Sequence, residues 1–373
     1  MFQQNNVVLI GNSVAEQSKS ISHLNKRVIN IDTFNDRDLI GENYKNSNLF
    51  GLVNNEVISV LENLKLNRAD TLIIVSSNYD KKNNYYELLK KYGRIVGNNY
   101  ESILRLQDTD DLFYKLELNE IKFPAKISNT DNDYDSVMLK NPNMSGGLGV
   151  KRIKKEDIKN YEKNVFFQEH IEGPTYSILF LSNSNKKFSI VGVNQIFNKK
   201  TPSSQFCFSG ALANIKLADN IIEVLNDIIN FFIKEYNLIG LNGIDFILSD
   251  NIYFLELNPR ITQTCFMYDK AFSNGYVDAH IESDLSNDLP SVKNNNNEYI
   301  CFETLFSNSS FVFNCELENY NFISNIPQIN TRIEVGQPIC TINVTSDSEK
   351  KAKKILSDNI SLIKHKLKNV EII

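Results

Sequence analysis

One stretch constrains this chain more than any other: GIDFILSDNIYFLELNPRI, from Gly243 to Ile261. Two runs of aromatic and branched aliphatic residues flank Ser249-Asp250-Asn251, the pattern of a β-hairpin. Successive side chains of a strand face opposite ways, so Glu256 and Asn258 share one face while Leu255 and Leu257 take the other. Asp245, on the first strand, can lie on the face of Glu256 and Asn258. Two carboxylates and an amide inside an apolar hairpin are costly to desolvate unless a cation meets them. Oxygen donors without His or Cys suit Mg²⁺, with Mn²⁺ as the alternative, shared between protein and nucleotide phosphates. Arg260, just past the strand, can reach a transferring phosphoryl group.

Two further segments carry chemistry. In VMLKNPNMSGGLG a short strand delivers Lys140, and Ser145, Gly146, Gly147 and Gly149 follow in a loop. Glycines let a backbone approach a ligand and turn N–H groups toward phosphate oxygens, and a nearby lysine adds positive charge. No Gly-Lys-Ser/Thr follows, so this is not a Walker A loop. In FFQEHIEGPTYS, Gln168 and Glu169 close an apolar strand. Glu169 can accept from an adenine amino group and the Ile171 backbone can pair with the ring. Taken singly, each segment also has a plain structural reading, as a hairpin loop after an exposed lysine and as a solvated strand end before a Gly-Pro turn.

At 373 residues the chain is expected to form two or three modules. Strands at Val7–Ile10, Arg27–Asp32, Thr71–Ser77 and Gly93–Asn98 alternate with helical stretches, which predicts a parallel, Rossmann-like domain over 1–100. A two-lobed α+β domain is expected over 101–285, with strands at 137–140, 150–153, 165–171, 176–181 and 189–196. Ile221, Ile222, Leu225, Ile228, Ile229 and Phe232 recur at helical spacing. An Asn-rich linker at about 285–297 leads to a small α+β extension over 286–373. Strands are expected there near 299–305, 311–315 and 339–344, with a helix from Ser348 to Leu367.

A net charge of −5 with no clustered basic excess argues against a nucleic-acid or anionic-membrane partner. Five cysteines without a CxxC pair, beside four histidines, do not form a zinc site. The apolar run at Val7–Ile10 is too short for a signal-peptide core, so a cytoplasmic location is expected. A dinucleotide-binding oxidoreductase is disfavoured because Gly11-Asn12-Ser13 lacks the second and third glycines of that fingerprint, although Asp32 sits where a ribose-binding acid would.

The order of Lys140 and its glycine loop, QEHIEGP, GIDF and LELNPR resembles the ATP-grasp superfamily, over about Leu104 to Thr264. Biotin carboxylase, D-alanine–D-alanine ligase and the tyramine–glutamate ligase belong to it. The resemblance implies that Lys140 binds the α and β phosphates of ATP under the loop of Ser145, Gly146, Gly147 and Gly149. It implies that Gln168, Glu169 and Ile171 form the adenine slot. Asp245, Glu256 and Asn258 would hold Mg²⁺, and Arg260 and Lys140 would serve the chemistry. Two positions depart from the pattern. Gln107–Phe113 lacks the second phosphate-binding lysine of many relatives, and Thr175 stands where some carry a ribose-binding acid. The implied activity is a carboxylate–amine ligase that works through an acyl phosphate on small-molecule carboxylate and amine substrates, an amino acid such as glutamate among them. A biotin-carboxylase-like carboxylase and a non-catalytic ATP-binding regulatory protein are the alternatives. A homodimer is compatible with this reading.

Overall fold

Val7–Ile10 is continuously apolar, as a strand covered on both faces must be, and it forms the middle of β1 (Asn6–Gly11). The computed structural model describes residues 4–47, 53–76, 85–127, 134–142, 144–161, 165–202, 204–293, 298–367 and 372. β1 pairs in parallel with β2 (Arg27–Asp32) and β4 (Thr71–Val75); β3 (Glu42–Lys45) and β5 (Arg94–Ile95) add the outer strands. The order β3-β2-β1-β4-β5 is that of a doubly wound sheet. Helices α1 (Ala15–Ile21), α2 (Asn55–Leu64) and α3 (Tyr85–Leu89) connect its strands. Ser77, at the end of the expected third strand, lies outside the described residues. The strand expected over Gly93–Asn98 shrinks to Arg94–Ile95: Val96 N–H still reaches Ile73 O (2.9 Å), but Gly97 N–H turns to the Asp284 carboxylate and the Asn98 side chain accepts Ile239 N–H.

Helices α4 (Tyr100–Leu106) and α5 (Thr109–Leu118), capped by the side chains of Asn99 and Asp108, lead into a small antiparallel sheet. It runs β7-β6-β8, with β6 Ser136–Lys140, β7 Val150–Lys154 and β8 Phe166–Gln168.

The large sheet has eight strands: β9 (Thr175–Ser182), β10 (Phe188–Lys199), β11 (Cys207–Leu212), β12 (Gly240–Leu248), β13 (Ile252–Asn258), β14 (Tyr299–Phe306), β16 (Ile323–Ser324) and β18 (Pro338–Ser346). A two-stranded ribbon, β15 (Phe311–Val312) with β17 (Arg332–Ile333), lies apart from it. The strand expected over 311–315 is therefore only two residues long. β14 pairs with β11 on one side and β18 on the other, so the C-terminal segment continues the central sheet.

Alternation along β9 divides the two faces of this sheet. Ile178 and Phe180 meet α6 (Asp219–Tyr236) through Leu225, Ile229 and Phe232. Burying a side chain of this size stabilises by roughly 1.5–3 kcal/mol. Leu179 and Leu181 face the other way, toward α1, the short 3-10 segment Gln263–Ala271 and α7 (Gly275–Leu285). Helix α8 (Glu349–Lys366) covers the C-terminal strands with Ala352, Leu356 and Ile363. Asn294–Asn297, in the Asn-rich stretch, lie outside the described residues. Among the described residues no helix is long and apolar enough to cross a membrane.

Candidate active site

The hairpin sets the site by register. β12 and β13 pair antiparallel with Asp245 directly opposite Glu256 and Gly243 opposite Asn258. On its other edge β12 pairs with β9, and Asp245 stands opposite Ser177. Paired residues point the same way, so Glu256, Asp245 and Ser177 form a polar row on the face away from α6. The Asn258 amide donates from Nδ2 to Asp245 Oδ2 (3.3 Å) and to Glu256 Oε1 (3.1 Å). Arg260 Nη2 donates to Asn258 Oδ1 at 3.2 Å, which places the guanidinium at the open end of the row.

The electrostatics follow from this packing. Burial, and after it the Glu256 charge, push Asp245 up to about 8, against the Ser177 hydroxyl and Arg260, which favour its anion. Two facing carboxylates, one of them strained in this way, form a donor set that a divalent cation would relieve. The Asn258 amide presents its nitrogen to them and its oxygen to Arg260, so it adds an oxygen donor only once the amide turns over. Lys140 ends β6 half-buried, and desolvation brings it down to about 8; the Glu256 carboxylate opposes that shift. Lys140 and Glu256 come from different sheets, so this attraction marks where the two sheets converge.

The glycine loop sits over the junction. Gly146 and Gly147 have φ of +63° and +74°, the left-handed region where other residues are disfavoured. A Cβ on Gly147 would stand 1.8 Å from the Phe206 carbonyl oxygen. The loop is docked there: Phe208 N–H donates to Gly146 O (2.9 Å) and Ser204 Oγ donates to Gly147 O (2.7 Å). The loop closes on itself through Asn141 N–H to Gly149 O (3.0 Å) and Leu148 N–H to Ser145 O (3.2 Å).

The third segment differs from expectation. β8 stops at Gln168, and 169–171 leave the sheet. The Gln168 amide is buried and donates to Pro124 O (2.7 Å), which braces the strand against the preceding segment. One carboxylate oxygen of Glu169 accepts Ala125 N–H (2.8 Å), and Glu169 N–H donates to Ala125 O (2.9 Å). Ile171 is half-buried in the coil that follows. Ser177 and Ser204 also belong to this site, and the sequence does not single them out. Nothing local marks either one, since each acts through a partner strand or loop distant in sequence.

A parallel domain, a small three-stranded sheet and a large antiparallel sheet, with an acidic hairpin and a glycine loop where the sheets converge, define an ATP-grasp architecture. Residues 107–264 match the family model described as an ATP-grasp domain. Over 306 residues the chain is 24% identical to an uncharacterised protein of Methanocaldococcus jannaschii, covering 77% of this chain and 72% of that one. It is 32% identical over 108 residues to the tyramine–L-glutamate ligase of Methanocaldococcus fervens, a match that spans 28% of this chain and 34% of the ligase. Among solved structures, it resembles the biotin carboxylase domain dimer of the 2-oxoglutarate carboxylase of Hydrogenobacter thermophilus, determined with MgADP, ADP and bicarbonate. That likeness has a TM-score of 0.74 at 13% identity and covers 100% of this chain and 91% of the other.

Proposed function

We propose that this protein is an Mg²⁺- and ATP-dependent ligase that joins a small-molecule carboxylate to an amine. The observation that carries the reading is the direct opposition of Asp245 and Glu256, with Asn258 and Arg260 at the same strand end and Lys140 near enough to feel the Glu256 charge. Asp245, Glu256 and, with its amide turned over, the Asn258 oxygen would hold the metal, which when bound neutralises phosphate charge. Lys140 offers its ammonium to the α and β phosphates, and the loop of Ser145, Gly146, Gly147 and Gly149 covers them and excludes water. Glu169 and the Ile171 backbone border the adenine. A carboxylate oxygen of the substrate attacks the γ-phosphorus, the bond to the ADP oxygen breaks, and Arg260 stabilises the charge on the phosphoryl group in flight. The amine then attacks the acyl carbon and loses a proton, and phosphate leaves with the C–O bond electrons, giving an amide.

Glutamate is the first carboxylate to try, given the partial match to the tyramine–glutamate ligase. A carboxylase would share the first step with bicarbonate as the carboxylate, and the biotin carboxylase likeness makes bicarbonate the second arm of the test. The experiment is phosphate release from ATP by the purified chain with Mg²⁺, across a panel of amino acids and amines and with bicarbonate. Release that requires both a carboxylate and an amine is expected. Release with bicarbonate alone would replace the ligase by the carboxylase, and no carboxylate-dependent release at all would overturn both.

A further inference from the structure

Arg260 can act on a transferring phosphoryl group only if its backbone is held still, and the hairpin ladder ends at Asn258, two residues earlier. The peptide unit joining Pro259 to Arg260 is gripped at both ends. Its N–H, on Arg260, donates to Asn258 O at 2.9 Å. Its C=O, on Pro259, accepts from Asn98 Nδ2 at 2.9 Å. A peptide unit is planar and its two polar groups point in opposite directions, so bonds at both ends fix the orientation of the plane and the direction in which Arg260 leaves it. Asn98 belongs to the segment that closes the N-terminal sheet. Its side chain is otherwise fully employed, since Nδ2 also donates to Asn242 Oδ1 (2.7 Å) and Oδ1 accepts Ile239 N–H (2.8 Å). Asn98 is 5% exposed and Asn242 is fully buried, so water does not substitute for these bonds.

We infer that Asn98 is a positioning residue: it reaches from the N-terminal domain to the Pro259 carbonyl and sets the orientation of Arg260 for phosphoryl transfer. This rests on the role given to Arg260 above. Asn242 provides the control, because it shares the network, bonding to Asn98 and to Gly240 O (2.8 Å), whereas the bond to the Pro259 carbonyl comes from Asn98.

The test compares binding of two probes to the full chain by calorimetry with Mg²⁺ present: a non-hydrolysable ATP analogue, for the ground state, and ADP with aluminium fluoride, which mimics the phosphoryl group in flight. Arg260→Ala should weaken the aluminium fluoride complex selectively. Asn98→Ala, or Asn98→Ser as the milder variant, should weaken the same complex by about tenfold, the worth of a buried hydrogen bond, while leaving the ATP analogue within a few-fold. The double variant Asn98→Ala/Arg260→Ala should be no weaker than Arg260→Ala alone, the sign of a shared interaction. Asn242→Ala should lower the melting temperature and leave the selectivity between the probes intact. If Arg260→Ala shows no selectivity, the role of Arg260 is wrong and the inference falls with it. If Arg260→Ala is selective and Asn98→Ala is not, or if the two losses simply add, the Asn98 inference alone is overturned. If neither Asn98 variant folds, Asn98 is a folding residue and its positioning role is rejected.

Discussion

The acidic hairpin and the glycine loop meet at one site, yet they are held in different ways. Asp245 and Glu256 are placed by continuous ladder bonding, with β12 paired on both edges. The loop of Gly146 and Gly147 is placed by a few bonds to residues 204–208, a part of the chain remote from it in sequence. The hairpin therefore keeps its charges in place before any ligand arrives, which is what preorganised stabilisation of a transition state requires. The loop can undock at the expense of a few hydrogen bonds, as the nucleotide cover proposed above must.

The sharpest way to break this contrast is in the hairpin. Glu256→Gln removes one charge without changing shape and should lower Mg²⁺-dependent turnover by about 10²–10³-fold, the scale of a lost electrostatic contact to the transition state. Unchanged turnover in a folded variant would remove Glu256 from the site.

The rigidity of the hairpin side extends to the buried junction behind it, and pH tests that part. His280 Nδ1 accepts Leu241 N–H (2.9 Å), and burial brings its pKa down from 6.5 to about 4 despite a bond to the Val96 carbonyl. The fold thus favours neutral His280, and between pH 4 and 6.5 the unfolded chain binds more protons. Stability from this residue is complete above pH 6.5 and is lost as pH falls toward 4, by a few kcal/mol in all. Hydrogen exchange at pH 5 should rise at residues 96–98 and 239–242 relative to pH 7.5, after correction for intrinsic rates, and His280→Gln should flatten that difference. An equal rise in the glycine loop would erase the contrast between the two regions.

Smaller effects are expected in the loop. Gly147→Ala drives a Cβ into the Phe206 carbonyl, whereas a Cβ on Gly146 meets nothing within 4 Å. Both residues are left-handed, so both substitutions carry backbone strain of about 1–2 kcal/mol, and only Gly147→Ala must also undock the loop. The KM for ATP should rise by about tenfold or more in Gly147→Ala and by less in Gly146→Ala; the reverse order would show that the loop does not dock on Phe206. Ser204→Ala deletes one hydrogen bond to Gly147 and should speed release of an ATP analogue about threefold in stopped-flow measurements. Slower release would contradict a latching role for Ser204.

These regions also differ in how far they could be read from the chain. The hairpin was legible because its information is local: a period of two in the side chains and a turn at Ser249-Asp250-Asn251 predict a shared face, and the register places Asp245 opposite Glu256. The same holds for α6, where apolar residues at helical spacing become the buried stripe of Leu225, Ile228, Ile229 and Phe232. The strand expected through Ile171 was too long. An apolar run shows that a segment can pair, but β8 ends where partner strands end, and the run carries no record of that.

The sequence by itself determined the element types, the parallel and antiparallel modules, and which side chains of the hairpin face together, because these depend on residues a few positions apart. Only the tertiary structure decided that the C-terminal strands extend the large sheet, that Gln168 turns in to Pro124, that Phe206 leaves no room for a side chain at residue 147, and that Asn98 holds the Pro259 carbonyl. Each of these joins residues far apart in the chain through a hydrogen bond or a close approach whose partner is set by how whole elements pack. Sequence spacing encodes periodicity but not the relative placement of one element on another, and in this protein that placement brings Lys140 within reach of the Glu256 charge.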